Sequence, residues 1–357
     1  MSTLWFCLVA LMLAAYVLFD GFDLGAGALH LGVARTDAER RTALSTIGPV
    51  WDGNEVWLLA AGGTLYFAFP ALYASGFSGF YLPLMMVLWL LILRGISIEF
   101  RNHIRGPVWS PLWDAVFCCS SALLAIFFGV ALGNVVRGLP LDASGFFFEP
   151  LWTNFRLGPG TGIIDWYTVL TGLAAYFALA QHGALWIALK TEGPVARRSR
   201  RYAEICWWCV CALTVVITFF TFRVQPHIAE SFARYPFGYV FPLLALAGLA
   251  GVRWWLRWTD DRLAEWRAFL SSCAYLVGML TSAAFGLYPL VLPARGNPAY
   301  SLTIDNAKAG AYGLRVGLIW WTIGMALVTG YFVFVYRTFA GKVRAGGASD
   351  DADHTGY

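Results

Sequence analysis

Residues 4–29 read LWFCLVALMLAAYVLFDGFDLGAGAL. From Leu4 to Phe19 every position is apolar or aromatic, and two carboxylates, Asp20 and Asp23, then fall inside the same run. A helix crossing ~30 Å of hydrocarbon needs about 20 largely apolar residues. The run reaches a comfortable spanning length only if both aspartates are carried into the membrane. Met1-Ser2-Thr3 offers no basic leader, and no small-residue cleavage site closes the run. It is therefore expected to remain as a first transmembrane helix rather than to be removed as a signal peptide.

The rest of the chain repeats this texture. Of 357 residues, 59% are hydrophobic and 13% are charged, against roughly 45–50% and about 25% in an ordinary soluble domain. So little charge cannot solvate a globular surface of this size, which excludes a soluble enzyme, a disordered chain and a nucleic-acid binder. The formal net charge of +4 is too slight to mark an anionic partner. The fold class read from this is an all-α polytopic membrane protein. Nine spans are expected, near 4–29, 51–73, 76–98, 114–136, 163–189, 204–223, 237–257, 267–292 and 313–336, with a turn at Pro70–Gly76. The runs are far longer than the ~9–11 residues of a barrel strand and do not alternate.

Basic residues set the expected orientation. Taken by alternate loops, Lys and Arg divide seventeen to six, with Arg94 and Arg315 inside or at the edge of spans. The richer side is expected to be cytoplasmic, which puts the N-terminus outside and the C-terminus inside. Arg197-Arg198-Ser199-Arg200-Arg201 is the strongest single marker. A parallel repeat is also legible. Ala14-Ala15-Tyr16 precedes Asp20-Gly21, and Ala174-Ala175-Tyr176 precedes His182-Gly183, four spans later. The expected organisation is a first four-helix unit over 1–137, a second over 163–292, a ninth helix at 313–337 and a disordered acidic tail at 345–357.

Acidic residues inside the membrane carry the functional signal, since each costs roughly 2.5–3.5 kcal/mol on insertion scales. Asp20 and Asp23 are three apart on one helical face, and Asp52 and Glu55 repeat that spacing at the start of span two. Span three ends with Arg94 and Glu99. By topology these six groups converge toward the cytoplasmic side. Either Arg94 neutralises a carboxylate in a structural ion pair, or the cluster forms a hydrophilic path that accepts protons. Crowded carboxylates in a low dielectric cannot all ionise, so such a cluster can load and release protons. Gly21, Gly25 and Gly27 beside it read as close helix packing, not as a nucleotide fingerprint.

Other chemistry is poorly supported. Of the histidines His30, His103, His182, His227 and His354, only His182 is expected within a span, where it is either structural or part of a proton path. Haem or metal ligation would call for several deep histidines or ligand spacing. The seven cysteines lie in apolar runs, including Cys206 and Cys209, and read as packing. Trp254, Trp255, Trp258 and Trp266 read as an interfacial belt.

Phe19-Asp20-Gly21-Phe22-Asp23-Leu24-Gly25 and Trp51-Asp52-Gly53-Asn54-Glu55-Val56-Trp57 resemble signatures of subunit II of the cytochrome bd-type quinol oxidases. Phe77-Ser78-Gly79-Phe80-Tyr81 followed by Arg94 is similar, as are Phe128–Asn134, Gly138-Leu139-Pro140, Tyr288–Pro293 and Ser301-Leu302-Thr303. The resemblance runs over nearly the whole chain in order. The short loop between spans six and seven looks like that of the cyanide-insensitive subgroup. The resemblance implies a bacterial inner-membrane terminal oxidase that oxidises quinol and reduces oxygen to water. It implies haem b and haem d, with the quinol site, in a partner subunit I packed pseudosymmetrically in a heterodimer. Membrane lipid is an expected contact, and a third small subunit is compatible. It implies that Asp20, Asp23 and Asp52, with Glu55 and Arg94, serve a proton supply, and that this chain binds no cofactor or metal itself. The competing reading is a stand-alone secondary transporter, which calls for a broken-helix site near the midplane.

Overall fold

The computed structural model describes residues 1–104, 106–158, 160–258 and 261–343. The expected tail at 345–357, with His354, lies outside the described residues. Lipid offers the backbone no hydrogen-bond partner, so the apolar runs satisfy themselves as helices. In chain order these are α1 Ser2–Val33, α2 Asp37–Ser45, α3 Trp51–Ala68, α4 Pro70–Gly79, α5 Tyr81–Phe100 and α6 Trp109–Arg137. They continue as α7 Trp166–Lys190, α8 Gly193–Val224, α9 Pro226–Arg234, α10 Val240–Trp255, α11 Arg262–Leu287 and α12 Ala311–Thr338. Two short strands, β1 Leu290–Leu292 and β2 Leu302–Thr303, pair antiparallel.

Among the described residues, eight helices are long and apolar enough to cross a membrane: α1, α5, α6, α7, α8, α10 with the 3-10 turn before it, α11 and α12. The expected count of nine is not confirmed. The missing one is span two. Asp52, Asn54 and Glu55 dilute the hydropathy of α3, which ends at Ala68 rather than at 73. The expected turn at Pro70–Gly76 is instead the helix α4, with Pro70 in its first turn, where a missing N–H costs nothing. Phe69 makes the break, at φ −133° and ψ 67°. The expected span 267–292 also shifts. α11 stops at Leu287, and Leu290–Leu292 spends its backbone groups on β2.

α1 is the axis of the bundle, packed by α3, α6 and α7, with α8 and α11 also touching it. From Asp20 to His30 every residue of α1 is buried. Glycine permits this. At the α1–α7 crossing, a Cβ on Gly25 would overlap the Leu179 carbonyl oxygen and stand 2.8 Å from Gly183 N. The two segments that look alike in sequence therefore cross on each other, backbone to backbone. α10 and α11 meet in the same manner through Gly248 and Gly278. α12 lies outermost, reaching α1 and α3 through aromatics such as Phe332, whose ring is 4.9 Å from that of Phe19.

The polar helix α2 caps one end of the bundle. Thr36 and Glu39 form a reciprocal capping box, in which the Thr36 hydroxyl accepts from Glu39 N and Glu39 Oε2 accepts from Thr36 N. Arg198 at the start of α8 pairs with the same carboxylate at 2.7 Å. The Arg198 guanidinium holds the Glu39 carboxyl down at about 2, against an ordinary 4.5. Replacing Glu39 with alanine is expected to lower stability by about 1 kcal/mol at neutral pH, through loss of the half-buried Arg198 pair and of the cap hydrogen bonds together. The folded value lies below the unfolded one, so this stabilisation is complete above 4.5 and disappears as pH falls toward about 2. Thermal midpoints of both proteins at neutral and acid pH check this; a gap that does not narrow on acidification would contradict it.

Candidate functional site

Three helices converge on one buried arginine. Arg94 lies six residues before the end of α5 at Phe100, about 9 Å along the axis, and is 0% exposed. A guanidinium this deep cannot snorkel to water and needs a carboxylate. Asp20 on α1 provides it in bidentate form, with Arg94 Nη1 donating to Oδ2 at 2.9 Å and Nη2 to Oδ1 at 2.5 Å. Glu55 on α3, a quarter exposed, stands 3.9 Å from Arg94 Nη1.

Asp23 lies one turn beyond Asp20, also 0% exposed, and has no arginine of its own. Asn54 Nδ2 donates to its Oδ2 at 2.7 Å, and Tyr336 Oη from α12 donates to Asn54 Oδ1 at 2.9 Å. The other oxygen, Asp23 Oδ1, is buried with no hydrogen-bond partner among the described residues. A buried acceptor left unmatched costs roughly 1–3 kcal/mol. Tyr336 also lines a cavity of about 270 Å³ at the α2 end of the bundle, together with Thr46, Val50, Lys190 and Lys342. A side-chain chain thus runs from that cavity to Asp23.

The remaining expected residues are placed less centrally. Asp52 is exposed at the start of α3. Glu99 is exposed near the end of α5 and forms no ion pair or side-chain hydrogen bond among the described residues. The expected six-group convergence is therefore four groups, Asp20, Asp23, Glu55 and Arg94: Asp52 sits in the exposed first turn of α3, and Glu99, five residues beyond Arg94 on a helix that turns about 100° per residue, points away from it. His182 is buried beside α1 but outside this hydrogen-bond set. Its Nε2 lies 3.0 Å from the Leu18 carbonyl, which can only accept, so Nε2 carries a proton. Its Nδ1 faces Ser272 Oγ at 2.6 Å, and the ring stacks on Phe269.

Sequence reading missed Asn54 and Tyr336, whose polarity is ordinary, and two further charge hubs. His30, expected outside the spans, is buried within α1, with Nε2 2.8 Å from Asp114 Oδ1. Arg101 Nε and Arg40 Nη1 reach the same carboxylate at 2.6 and 3.1 Å. At the opposite end, Arg137 donates to Glu149 Oε2 at 2.8 Å and to Asp165, while Arg295 donates to Glu149 Oε1 at 2.8 Å. Burial pushes the Glu149 carboxyl up, against the two arginines beside it. Burial likewise pushes Arg295 down, opposed by Glu149.

Haem needs an axial ligand with a free ring nitrogen or thioether on a cavity wall. His182 has both nitrogens engaged and His30 is held by Asp114. His103 is exposed just beyond the end of α5 and His227 is half-buried in α9. Neither the 270 Å³ cavity nor a second one of about 430 Å³ is lined by His, Met or Cys. Among the described residues no three His, Cys, Asp or Glu side chains converge as a metal set. The residues lining these two cavities do not fit a haem.

Fold and site together define a multi-pass, all-helical membrane protein whose buried carboxylates are matched to one deep arginine. The chain belongs to the family described as cytochrome bd terminal oxidase subunit II, which matches residues 1–339. It is 29% identical to "Cytochrome bd ubiquinol oxidase subunit 2" of Bacillus subtilis, over 95% of this chain and 96% of that one. It is 27% identical to "Cytochrome bd-I ubiquinol oxidase subunit 2" of Escherichia coli K12, over 95% and 94%. It is 28% identical to "Probable cytochrome oxidase subunit 2" of Haemophilus influenzae, over 96% and 95%. A solved bd oxidase chain from Geobacillus thermodenitrificans has the same fold, with a TM-score of 0.74 at 14% identity, covering 95% of this chain and 98% of that one. The protein is thus a subunit of a quinol-oxidising terminal respiratory oxidase, a complex that uses haem and includes a subunit I. Nothing supports the transporter reading.

Proposed function

We propose that this chain supplies protons to oxygen reduction through the α1–α3–α5 cluster, while haem b, haem d and the quinol site belong to subunit I. The observation that carries the reading is Asp23, a fully buried carboxyl with one oxygen unmatched, at the end of a side-chain chain reaching a cavity. Asp52, exposed at the start of α3, is the entry group, and Glu55 and Asp23 load and pass protons. Asp20 and Arg94 hold the geometry, since a bidentate buried pair is poorly suited to giving up its proton-binding oxygen. Glu99 is at most an outer collecting group, and His182 is structural.

The same reading places the α2 end in the cytoplasm of a bacterial inner membrane, with the N-terminus outside, on the strength of the basic loops. It takes the complex as a heterodimer in lipid, with room for a small accessory subunit. It also divides the chain into two four-helix units and a last helix, α12; the glycine crossing of α1 on α7 supports that division.

The test uses the assembled oxidase. Asp23→Asn is expected to slow quinol-driven oxygen uptake at least ~10-fold with haem content unchanged, a floor set below the roughly 10²–10⁴ that a placed proton-transfer group contributes. Asp52→Asn is expected to act in the same direction but more weakly, because bulk water can replace an exposed group. Full turnover in Asp23→Asn with normal haem spectra would defeat the proton role and leave the family assignment intact.

A further inference from the structure

At the end of the bundle opposite α2, a cavity of about 430 Å³ opens where α6 ends, α7 begins and α8 ends. Arg137, Arg223 and Arg295 line it, together with Trp166, Phe220 and Val224. The charges do not balance. Glu149 and Asp165 provide two carboxylates for three guanidinium groups. Arg137 is fully engaged by them and by Asn134. Arg295 commits Nη2 to Glu149, yet its Nη1 is buried with no partner among the described residues. Arg223 forms no ion pair among the described residues and rests against the Phe219 ring at 5.0 Å.

Two arginines with donors to spare, in one concavity, match the oxygens of a phosphate group. The wall beside them is aromatic and aliphatic, and it lies at helix ends, where tryptophan marks the level of lipid headgroups. Inorganic phosphate would use the arginines and leave that wall in contact with water. A phospholipid uses both, its phosphodiester on the arginines and its glycerol and upper acyl carbons along Trp166, Phe220 and Val224. The surplus of one positive charge favours a lipid of net negative charge over a zwitterion.

We propose that this cavity binds the phosphodiester of an anionic phospholipid, with Arg223 and the free Nη1 of Arg295 as its donors. The experiment is native mass spectrometry of the delipidated, haem-loaded complex, titrated with dioctanoyl phosphatidylglycerol, dioctanoyl phosphatidylcholine or inorganic phosphate. Wild type is expected to show a saturable phosphatidylglycerol site. Arg223→Gln is expected to weaken it ~10-fold, as loss of one charged hydrogen bond implies, and Arg223→Lys to retain most of the affinity. Arg295→Gln serves as the second variant, with the haem spectrum reporting that the complex is assembled. Equal lipid binding by wild type and both variants would overturn the proposal. So would equal affinity for phosphatidylcholine, or displacement of the lipid by inorganic phosphate at matched concentration, which would mark a free-anion site.

Discussion

Gly25→Ala is expected to abolish accumulation of the assembled oxidase. The added methyl group would overlap the Leu179 carbonyl oxygen and press on Gly183 N. Both obstacles are backbone, so no side chain can rotate out of the way. Relief requires α1 and α7 to separate, and α1 is the helix on which α3, α6 and α7 all pack. Ordinary overpacking costs ~1–3 kcal/mol when neighbours can shift; a backbone-on-backbone clash at the axis exceeds that. The measurement is haem content of membranes by reduced-minus-oxidised spectra, alongside immunoblots of this chain. Gly62→Ala is the control, because a Cβ there meets nothing within 4 Å and alanine favours helix over glycine. Wild-type levels of Gly25→Ala would mean the crossing is looser than the close approach implies.

Arg94→Gln is expected to destabilise the complex by ~3–5 kcal/mol, the usual result of removing one partner from a buried ion pair. The glutamine cannot reproduce the two donors that meet Asp20, and Asp20 is then left at 0% exposure without a cation. Asp20→Asn combined with Arg94→Gln removes both charges, and is expected to recover part of the loss, as interacting sites are not additive. Thermal midpoints of the four purified complexes close the cycle. If the double variant were no more stable than the sum of the singles predicts, Asp20 and Arg94 would not act as a pair. Oxygen uptake by the double variant then separates positioning from transport. A complex that folds without the pair but turns over slowly shows that the pair also orients Glu55 and Asp23.

Hydropathy alone was enough to find the helices, because lipid forces every apolar run of sufficient length to close its own backbone hydrogen bonds. That logic is local, so it succeeded for α1, α5, α6, α7, α8, α10 and α12, and for α11 except at its far end; the short helices α2 and α9 carry no such run. It failed at α3 and α4, where polar residues and Pro70 divide one run into two helices. The small-residue pattern at Gly21, Gly25 and Gly27 was also legible as close packing, since little else explains glycine in a membrane helix. The likeness of Tyr16-Asp20-Gly21 to Tyr176-His182-Gly183 marked the two helices that cross, though not the atoms that touch.

The sequence by itself determined that this is a multi-pass helical membrane protein with acidic groups inside it, and its motifs named the family. Only the tertiary structure decided which of those groups meet. Arg94 and Asp20 are 74 residues apart, and His30 and Asp114 are 84 apart. Tyr336 and Asn54, neither of which stands out by composition, are 282 apart. Helical periodicity fixes which face a residue occupies but not which helix it faces. Asp52 and Glu99 therefore looked equivalent to Asp20 and Asp23 along the chain, while packing left the first two in the open and closed the second two inside the bundle.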